Sequence, residues 1–239
     1  MKRVEIPSRF FFSTPPAPCP YLDDRLERKI VTLLAGEDPD SLHNTLSHAG
    51  FRRSQDLAYR PACDGCDACI PIRVKAHDFR FKKSFRRIWK SNADITAKVL
   101  PSIATREHFE LFHQYLTSRH SEGGMVDMDF ADYQAMVEES PVRSKLAEFR
   151  KPDNSLFAVC LIDEMEDGLS LVYSFFDPDE EHRSPGSYLI LWHIVESERR
   201  QLPYVYLGYW ISESPKMAYK KRFHPSEVLT RDGWQLLTE

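Results

Sequence analysis

Hydrophobic positions along this chain change their period several times, and each change marks an element. A proline-rich opening around residues 15–20 cannot carry a helix, and residues 22–34 are predicted to form one after it. Leu42, Leu46 and Ala49 then recur at helical spacing over residues 39–49, with Gly50 as the stop. Leu57 and Tyr59, and later Ile70, Ile72 and Val74, alternate as two short strands would, with a cysteine-rich turn between them. A helix over residues 106–118 follows from the stripe Phe109, Phe112 and Leu116, with Thr105 as its cap. The Gly-rich loop SEGGMVDMD and a further helix over residues 132–139 come next. Segments 156–162 and 169–176 read as an antiparallel hairpin closed by DEMEDG. Pro185 and Gly186 stand just before a long apolar helix that ends in Arg199 and Arg200, charges suited to a helix C-terminus. YVYLGYW, residues 204–210, returns the chain to the sheet.

The order helix, two long strands, Gly-started helix, strand resembles the acetyltransferase-like fold of the GNAT superfamily. A shift of composition near residue 100 predicts two parts: an N-terminal domain, 1–99, with a cysteine knuckle and a basic strip, and a GNAT-like acyltransferase domain, 100–239. The fold class expected is α/β (α+β), with a central, mainly antiparallel sheet.

With 239 residues, 42% of them hydrophobic and 12% aromatic against only 9 glycines, the chain can bury a proper core and excludes a linker or fibre. A net charge of −4 lacks the global sign of a nucleic-acid binder, so a local basic patch must carry any such role. No apolar run reaches signal-peptide or transmembrane length, and the expected compartment is the cytoplasm.

In a reducing compartment clustered cysteines hold metal or do redox chemistry more often than they form disulfides. Cys63, Cys66 and Cys69 are spaced C-x2-C-x2-C and Cys19 offers a distant fourth thiol, a set that suits zinc or an iron–sulfur cluster. Cys160, inside an apolar strand, reads as core. In RFKKSFRRIWK, Lys82, Lys83, Arg86, Arg87 and Lys90 interleave with Phe81, Phe85 and Trp89, as a phosphate-binding strip would, although such a strip also makes an ordinary solvated face. Arg183, Gly186 and Ser187 surround a helix start, where free N–H groups favour an anion. YVYLGYWISESPKMAYKKRF brings Tyr209, Trp210, Lys216, Tyr219 and Lys220 into one run that resembles a pocket lining.

CPYL at Cys19, YRPACDGCDACIPIRV at Tyr59, SEGGM at Ser121, LVYSFFDPDEEHRSPGSY at Leu171 and the run at Tyr204 resemble, in order and over nearly the whole chain, the R-transferase family in its bacterial leucyltransferase branch. The resemblance implies transfer of leucine from leucyl-tRNA to the N-terminal α-amine of proteins beginning with Asp or Glu, the first step of an N-degron pathway, with no cofactor required for the chemistry. The eukaryotic arginyltransferases of the family, linked to iron–sulfur or zinc binding, arrange their N-terminal cysteines differently.

Under that reading Asp177 or Tyr209 is the expected base, and Lys216 or Tyr219 holds the oxyanion or the terminal ribose. Arg52, Arg53, Arg60 or Lys220 meets the acidic acceptor side chain, beside Tyr59. Met125, Phe175, Phe176 and Trp210 are available for the leucyl pocket. Arg183, Gly186 and Ser187, with Lys82, Lys83, Arg86, Arg87 and Lys90, are the expected tRNA contacts. An arginyltransferase, an acetyl-CoA-dependent N-acetyltransferase and a non-enzymatic RNA-binding or redox-sensing module are the competing readings.

Overall fold

The computed structural model describes residues 9–119 and 124–238. Ser121, Glu122 and Gly123 of the predicted glycine-rich loop lie outside the described residues, as does the basic start of the chain.

The chain opens with short strands β1 (Phe12–Ser13), β2 (Ala17–Pro18) and β3 (Leu26–Glu27), followed by β4 (Lys29–Leu33). The helix expected over residues 22–34 is therefore absent. Ile30, Val31 and Thr32 are β-branched, and β4 gains more by pairing with β1 and with β6 (Leu57–Pro61) than an isolated turn of helix would. Helix α1 (Pro39–His48) matches its prediction: Asp38 caps it through the Ser41 N–H, and Gly50 follows at φ +84°. Strand β5 (Arg52–Ser54) completes a four-stranded sheet in the order β1-β4-β6-β5.

The second strand of the cysteine segment, β7 (Ile70–Lys75), pairs not with β6 but within a larger sheet. That sheet also receives β8 (Thr96–Pro101), β9 (Ser144–Arg150), β10 (Leu156–Glu164), β11 (Gly168–Phe176), β12 (Tyr204–Trp210), β13 (Ser226–Thr230) and β14 (Gly233–Leu236). Its order is β14-β13-β7-β12-β11-β10-β9-β8. Every neighbouring pair is antiparallel except β11 and β12. The predicted hairpin and the returning strand are thus both present, and β7 and nearly all of β8 come from the first hundred residues.

Period-two alternation gives this sheet two apolar faces. Phe157, Cys160 and Ile162 of β10 pack on one face under α5 (Pro185–Arg199) and, further along, α2 (Lys83–Ser91). Val159 and Leu161 pack on the other under α3 (Arg106–Arg119) and α4 (Phe130–Glu138). Thr105 Oγ1 accepts the His108 N–H at the head of α3, as its position predicts.

Next on that second face comes Asp163, fully buried and gripped through both oxygens by Arg53 at 2.7 and 2.8 Å, with His43 Nε2 at 3.1 Å. Burial alone would raise this carboxyl's pKa, but the bonds from His43 and Arg53 hold it down at about 2. The pair fastens the four-stranded sheet to the large one.

The parallel pair matters most for function. β11 and β12 are in register only over Gly168–Ser170 against Tyr204–Tyr206, although both strands run on for several residues. Between Tyr206 and Tyr209 the pairing of β12 with β7, on its other side, shifts by a bulge, and Gly208 there takes φ +73°. Strands β11 and β12 part and leave a V-shaped gap in the sheet, open towards their C-terminal ends.

Candidate active-site cleft

Arg52 enters the gap from β5. Its Nη2 donates to the carbonyls of Leu171 and Val172, at 2.8 and 2.9 Å, which the departure of β12 would otherwise leave unpaired. Lys220 enters from the 3-10 turn Tyr219–Arg222 and donates to the carbonyls of Leu207 and Tyr209 at 2.9 and 2.8 Å. Two cations thus do the work of the missing strand pairing, one on each lip.

Around them lies a cavity of about 420 Å³, walled by Leu116, Met125, Val172, Leu189, Leu207 and Met217 among others. Its described lining contains no Asp or Glu. A second chamber, of about 610 Å³, opens beside it at the N-terminus of α5 and is lined by Ser118, Arg119, Glu181, Ser184, Ser187 and Phe176 among others, with Arg119 donating to Glu181 at 3.0 Å. Tyr115, Gly186, Lys216 and Tyr219 border both, so the two form one cleft with an apolar inner end and a polar mouth. No side chain caps α5; Pro185 carries no N–H and the Ser187 and Tyr188 N–H groups donate to the Ser184 carbonyl, which leaves the Gly186 N–H for a ligand at the mouth.

Electrostatics sharpen the inner end. Burial, and then the charge of Arg52, push the Lys220 ammonium down to about 7. Burial pushes the Tyr219 phenol up to about 12, so it remains a neutral donor.

Of the residues anticipated from sequence, Arg52, Met125, Lys216, Tyr219, Lys220 and Gly186 meet in the cleft, with Phe176 and Ser187 at the mouth. Others are placed elsewhere. Tyr209 is buried with its hydroxyl donating to the carbonyls of Gly50 (3.0 Å) and Tyr59 (3.3 Å), and burial raises its phenol further still. Asp177 caps the 3-10 turn Pro178–Arg183 and pairs with Lys151 at 3.0 Å. Arg53 is bound to Asp163, Phe175 is buried under α3 and α4, and Arg60 is exposed with a bond to the Ala49 carbonyl. Trp210 faces the α2 side, and Arg183 ties itself to Asp94 and to the Ser91 carbonyl at the end of α2. Lys82, Lys83, Arg86, Arg87 and Lys90 are exposed around that helix, with Phe85 turned inward.

Tyr115, Leu189 and Leu207 line the cleft without having been singled out, and Leu116 lines it although its stripe marked it only as core. In sequence they are ordinary apolar positions of helices and a strand, and only the parting of β11 from β12 turns them from core into lining.

The four thiols Cys19, Cys63, Cys66 and Cys69 border one small cavity of about 60 Å³ together with Tyr59. The Arg28 N–H donates to Cys63 Sγ at 3.4 Å and Arg25 Nη1 to Cys66 Sγ at 3.2 Å. Burial first, then the neighbouring thiols, push Cys69 up to about 12, a mutual repulsion that a cation in their midst would reverse. Among the described residues no three His, Cys, Asp or Glu side chains are already arranged to hold an ion. Four thiols around one cavity are donors of the kind a thiophilic metal takes, although they do not stand at metal-binding geometry.

Comparison with known proteins adds to this geometry. Residues 17–87 match the family model described as arginine-tRNA-protein transferase, N terminus, and residues 107–230 that described as arginine-tRNA-protein transferase, C terminus. The chain is 55% identical to the aspartate/glutamate leucyltransferase of Paramagnetospirillum magneticum, over 95% of this chain and 93% of that protein. It is 54% identical to the one from Rhodospirillum rubrum, over 94% and 92%. Among solved structures it is similar to FemX, with a TM-score of 0.50 at 7% identity over 80% of this chain and 66% of that one, a likeness of fold alone. It spans about half of L-PGS from Bacillus licheniformis, 47%, at a TM-score of 0.46.

Proposed function

Since this chain belongs to the arginine-tRNA-protein transferase family, in its aspartate/glutamate leucyltransferase branch, and is an aminoacyltransferase, we propose that its cleft joins leucine from leucyl-tRNA to the α-amine of proteins beginning with Asp or Glu. The observation that carries the choice of donor is the inner chamber. Its described walls combine aliphatic side chains with tyrosines and hold no carboxylate, while Arg52 and Lys216 are cations, so an arginyl side chain would be repelled and left without a partner.

An aminoacyl ester links a polar nucleotide to an apolar side chain. The cleft offers the same sequence of environments: the terminal adenosine and its phosphate at the mouth by Ser187 and Arg119, the leucyl group against Leu116, Met125 and Leu189 inside. The ester carbonyl then falls at the shared border, where Lys216 and the Tyr219 hydroxyl serve the oxyanion. Arg52, whose Nη1 and Nε make no other hydrogen bond among the described residues, meets the acceptor's acidic side chain.

Lys220 is the group for the proton. When it is neutral its two N–H bonds go to the two carbonyls, and its lone pair is left to accept from the attacking amine. The amine nitrogen bonds to the ester carbon, its proton passes to Nζ, and the bond to the ribose oxygen breaks as that oxygen takes the same proton back from Nζ. This supersedes the expectation for Asp177 and Tyr209, whose polar atoms are engaged outside the cleft.

Charged tRNA is a cytoplasmic substrate, which supports the cytoplasm as the compartment and an N-degron pathway as the setting. No helix among the described residues is long and apolar enough to cross a membrane. The test supplies leucyl- or arginyl-tRNA, labelled in the amino acid, with peptides beginning Asp, Glu, Lys or Ala. Label from leucyl-tRNA on the Asp and Glu peptides alone is expected. Label from arginyl-tRNA would overturn the donor, and none from either would return the acetyl-CoA reading to the front.

Cys19, Cys63, Cys66 and Cys69 would hold zinc or an iron–sulfur cluster as a clasp between the β2–β3 segment and the β6–β7 turn, beside the cleft, with which their cavity shares Pro20 and Tyr21; such a group supplies cross-linking rather than chemistry. Cys66→Ser is expected to lose the bound metal and lower the melting temperature while leaving the donor preference unchanged. Elemental analysis and thermal melts check this. A variant with wild-type metal content and stability would show that the thiols hold nothing.

A further inference from the structure

A second cavity, of about 360 Å³, lies outside the cleft. It is lined by Lys82 and Ser84 at the start of α2, Trp210 at the end of β12, and Lys221, Arg222 and His224, with Phe85 and the C-terminal Leu237 and Thr238 behind them. None of these is acidic. Lys221 and Arg222 are exposed and, among the described residues, neither has an ion-pair partner. The Arg222 guanidinium lies 5.7 Å over the Phe85 ring, an aromatic floor that holds its charge towards the opening.

One short stretch of chain joins this cavity to the reaction cleft. Lys216, Met217, Tyr219 and Lys220 line the cleft, while the next two residues, Lys221 and Arg222, line the second cavity. From there the positive charge continues along α2 through Lys83, Arg86, Arg87 and Lys90, all exposed. A chain of net charge −4 that gathers this many cations beside an aromatic wall has concentrated them for an extended polyanion rather than for a single phosphate.

Resting on the reading that leucyl-tRNA is the donor, we propose that this cavity binds a nucleotide of the tRNA acceptor arm. Its phosphodiester lies against Lys221 and Arg222 and its base or ribose against Trp210, while the terminal adenosine occupies the mouth of the cleft. The stretch from Lys216 to Arg222 then reads the RNA on one side and serves the reaction on the other. The cavity fixes where the acceptor arm leaves the active site, a role separate from chemistry.

The test measures binding of uncharged tRNA, and of a hairpin containing only its acceptor arm, to the wild type and to the double variant Lys221→Ala/Arg222→Ala at several salt concentrations. Both positions are exposed, and Arg222→Lys in the Lys221 background controls for charge alone. Two lost phosphate contacts should reduce the salt slope of log K by about two and, between 50 and 200 mM salt, shrink the wild type's advantage by about tenfold. The hairpin should show the same loss as the full tRNA. The KM for leucyl-tRNA should rise in parallel while kcat and transfer from a leucyl ester of adenosine stay unchanged.

A variant that binds both RNAs as the wild type does would overturn the proposal, as would a loss seen with full tRNA and not with the hairpin. Because binding is read without catalysis, a wild type that bound tRNA but transferred nothing would remove the transferase reading separately.

Discussion

Lys220→Arg should retain the fold and lose transfer, with kcat falling by about a hundred- to ten-thousand-fold, the usual worth of a positioned base. Arginine can still donate to the carbonyls of Leu207 and Tyr209, but it does not give up its proton. Lys220→Met loses transfer as well and also leaves both carbonyls unpaired, at a cost on the order of 1–3 kcal/mol each. The separation between the two variants tells base from prop. In the wild type the rate should climb as pH rises through about 7, where Nζ becomes neutral. It should climb again near the pKa of the acceptor's α-amine, roughly 7.7–8.0. Lys220→Arg keeps only the second rise.

The same burial has a signature in stability. Lys220 titrates at about 7 in the folded chain against an ordinary 10.5, so between those values the unfolded chain carries the extra proton. Stability contributed by this group therefore grows as pH rises from about 7 to 10.5 and is flat below about 7, where both states are charged. Denaturant titrations across that window should show the slope in the wild type and not in Lys220→Met. A single-turnover rate in Lys220→Arg equal to the wild type's, with the same pH profile, would remove the residue from the chemistry.

Much of this cleft could be read before the fold was known, because specific residue types concentrate there. Lys216, Tyr219 and Lys220 stand in one polar and aromatic run after a predicted strand, and a proline-glycine pair announces the start of α5. The misreadings share one cause: sequence gives a residue's type and parity but not what occupies the space opposite. Arg52 and Arg53 are adjacent, identical and equally plausible, yet alternation sends Arg52 into the gap and Arg53 onto Asp163, 110 positions away in sequence. Tyr209 and Trp210 are divided in the same way by the bulge at Gly208, which no periodicity in YVYLGYW betrays. The β4 segment failed for a related reason. Its partners β1 and β6 lie on either side of it in sequence, and tertiary pairing overrode its local pattern.

Gly208→Ala should lower stability by about 3 kcal/mol, although the change adds a single methyl group. A Cβ at this position would lie 1.5 Å from Arg52 Nη1 and 2.3 Å from Cζ, inside the guanidinium itself. The backbone stands at φ +73°, a conformation that costs a non-glycine residue on the order of 1 kcal/mol. Arg52 is flexible at its far end and can withdraw, but only by giving up its charge-assisted bonds to the carbonyls of Leu171 and Val172, worth roughly 1.5–3 kcal/mol. For a chain of this length, 1 kcal/mol moves the melting temperature by about 2–4 °C, so a fall of roughly 6–12 °C is expected.

The mechanism is tested by combining that substitution with Arg52→Ala. Once the guanidinium is gone the new methyl has nothing to displace, and Gly208→Ala in that background should cost only its backbone share, about 1 kcal/mol. The two substitutions should therefore be strongly non-additive, with the double variant about 2 kcal/mol more stable than the sum of the singles implies. Either substitution should also blunt the preference for acidic N-termini, because each removes Arg52 from the gap. Additive stabilities with an intact Asp and Glu preference would mean that Arg52 does not occupy the gap between β11 and β12, and the acceptor site would then have to be sought at Lys216.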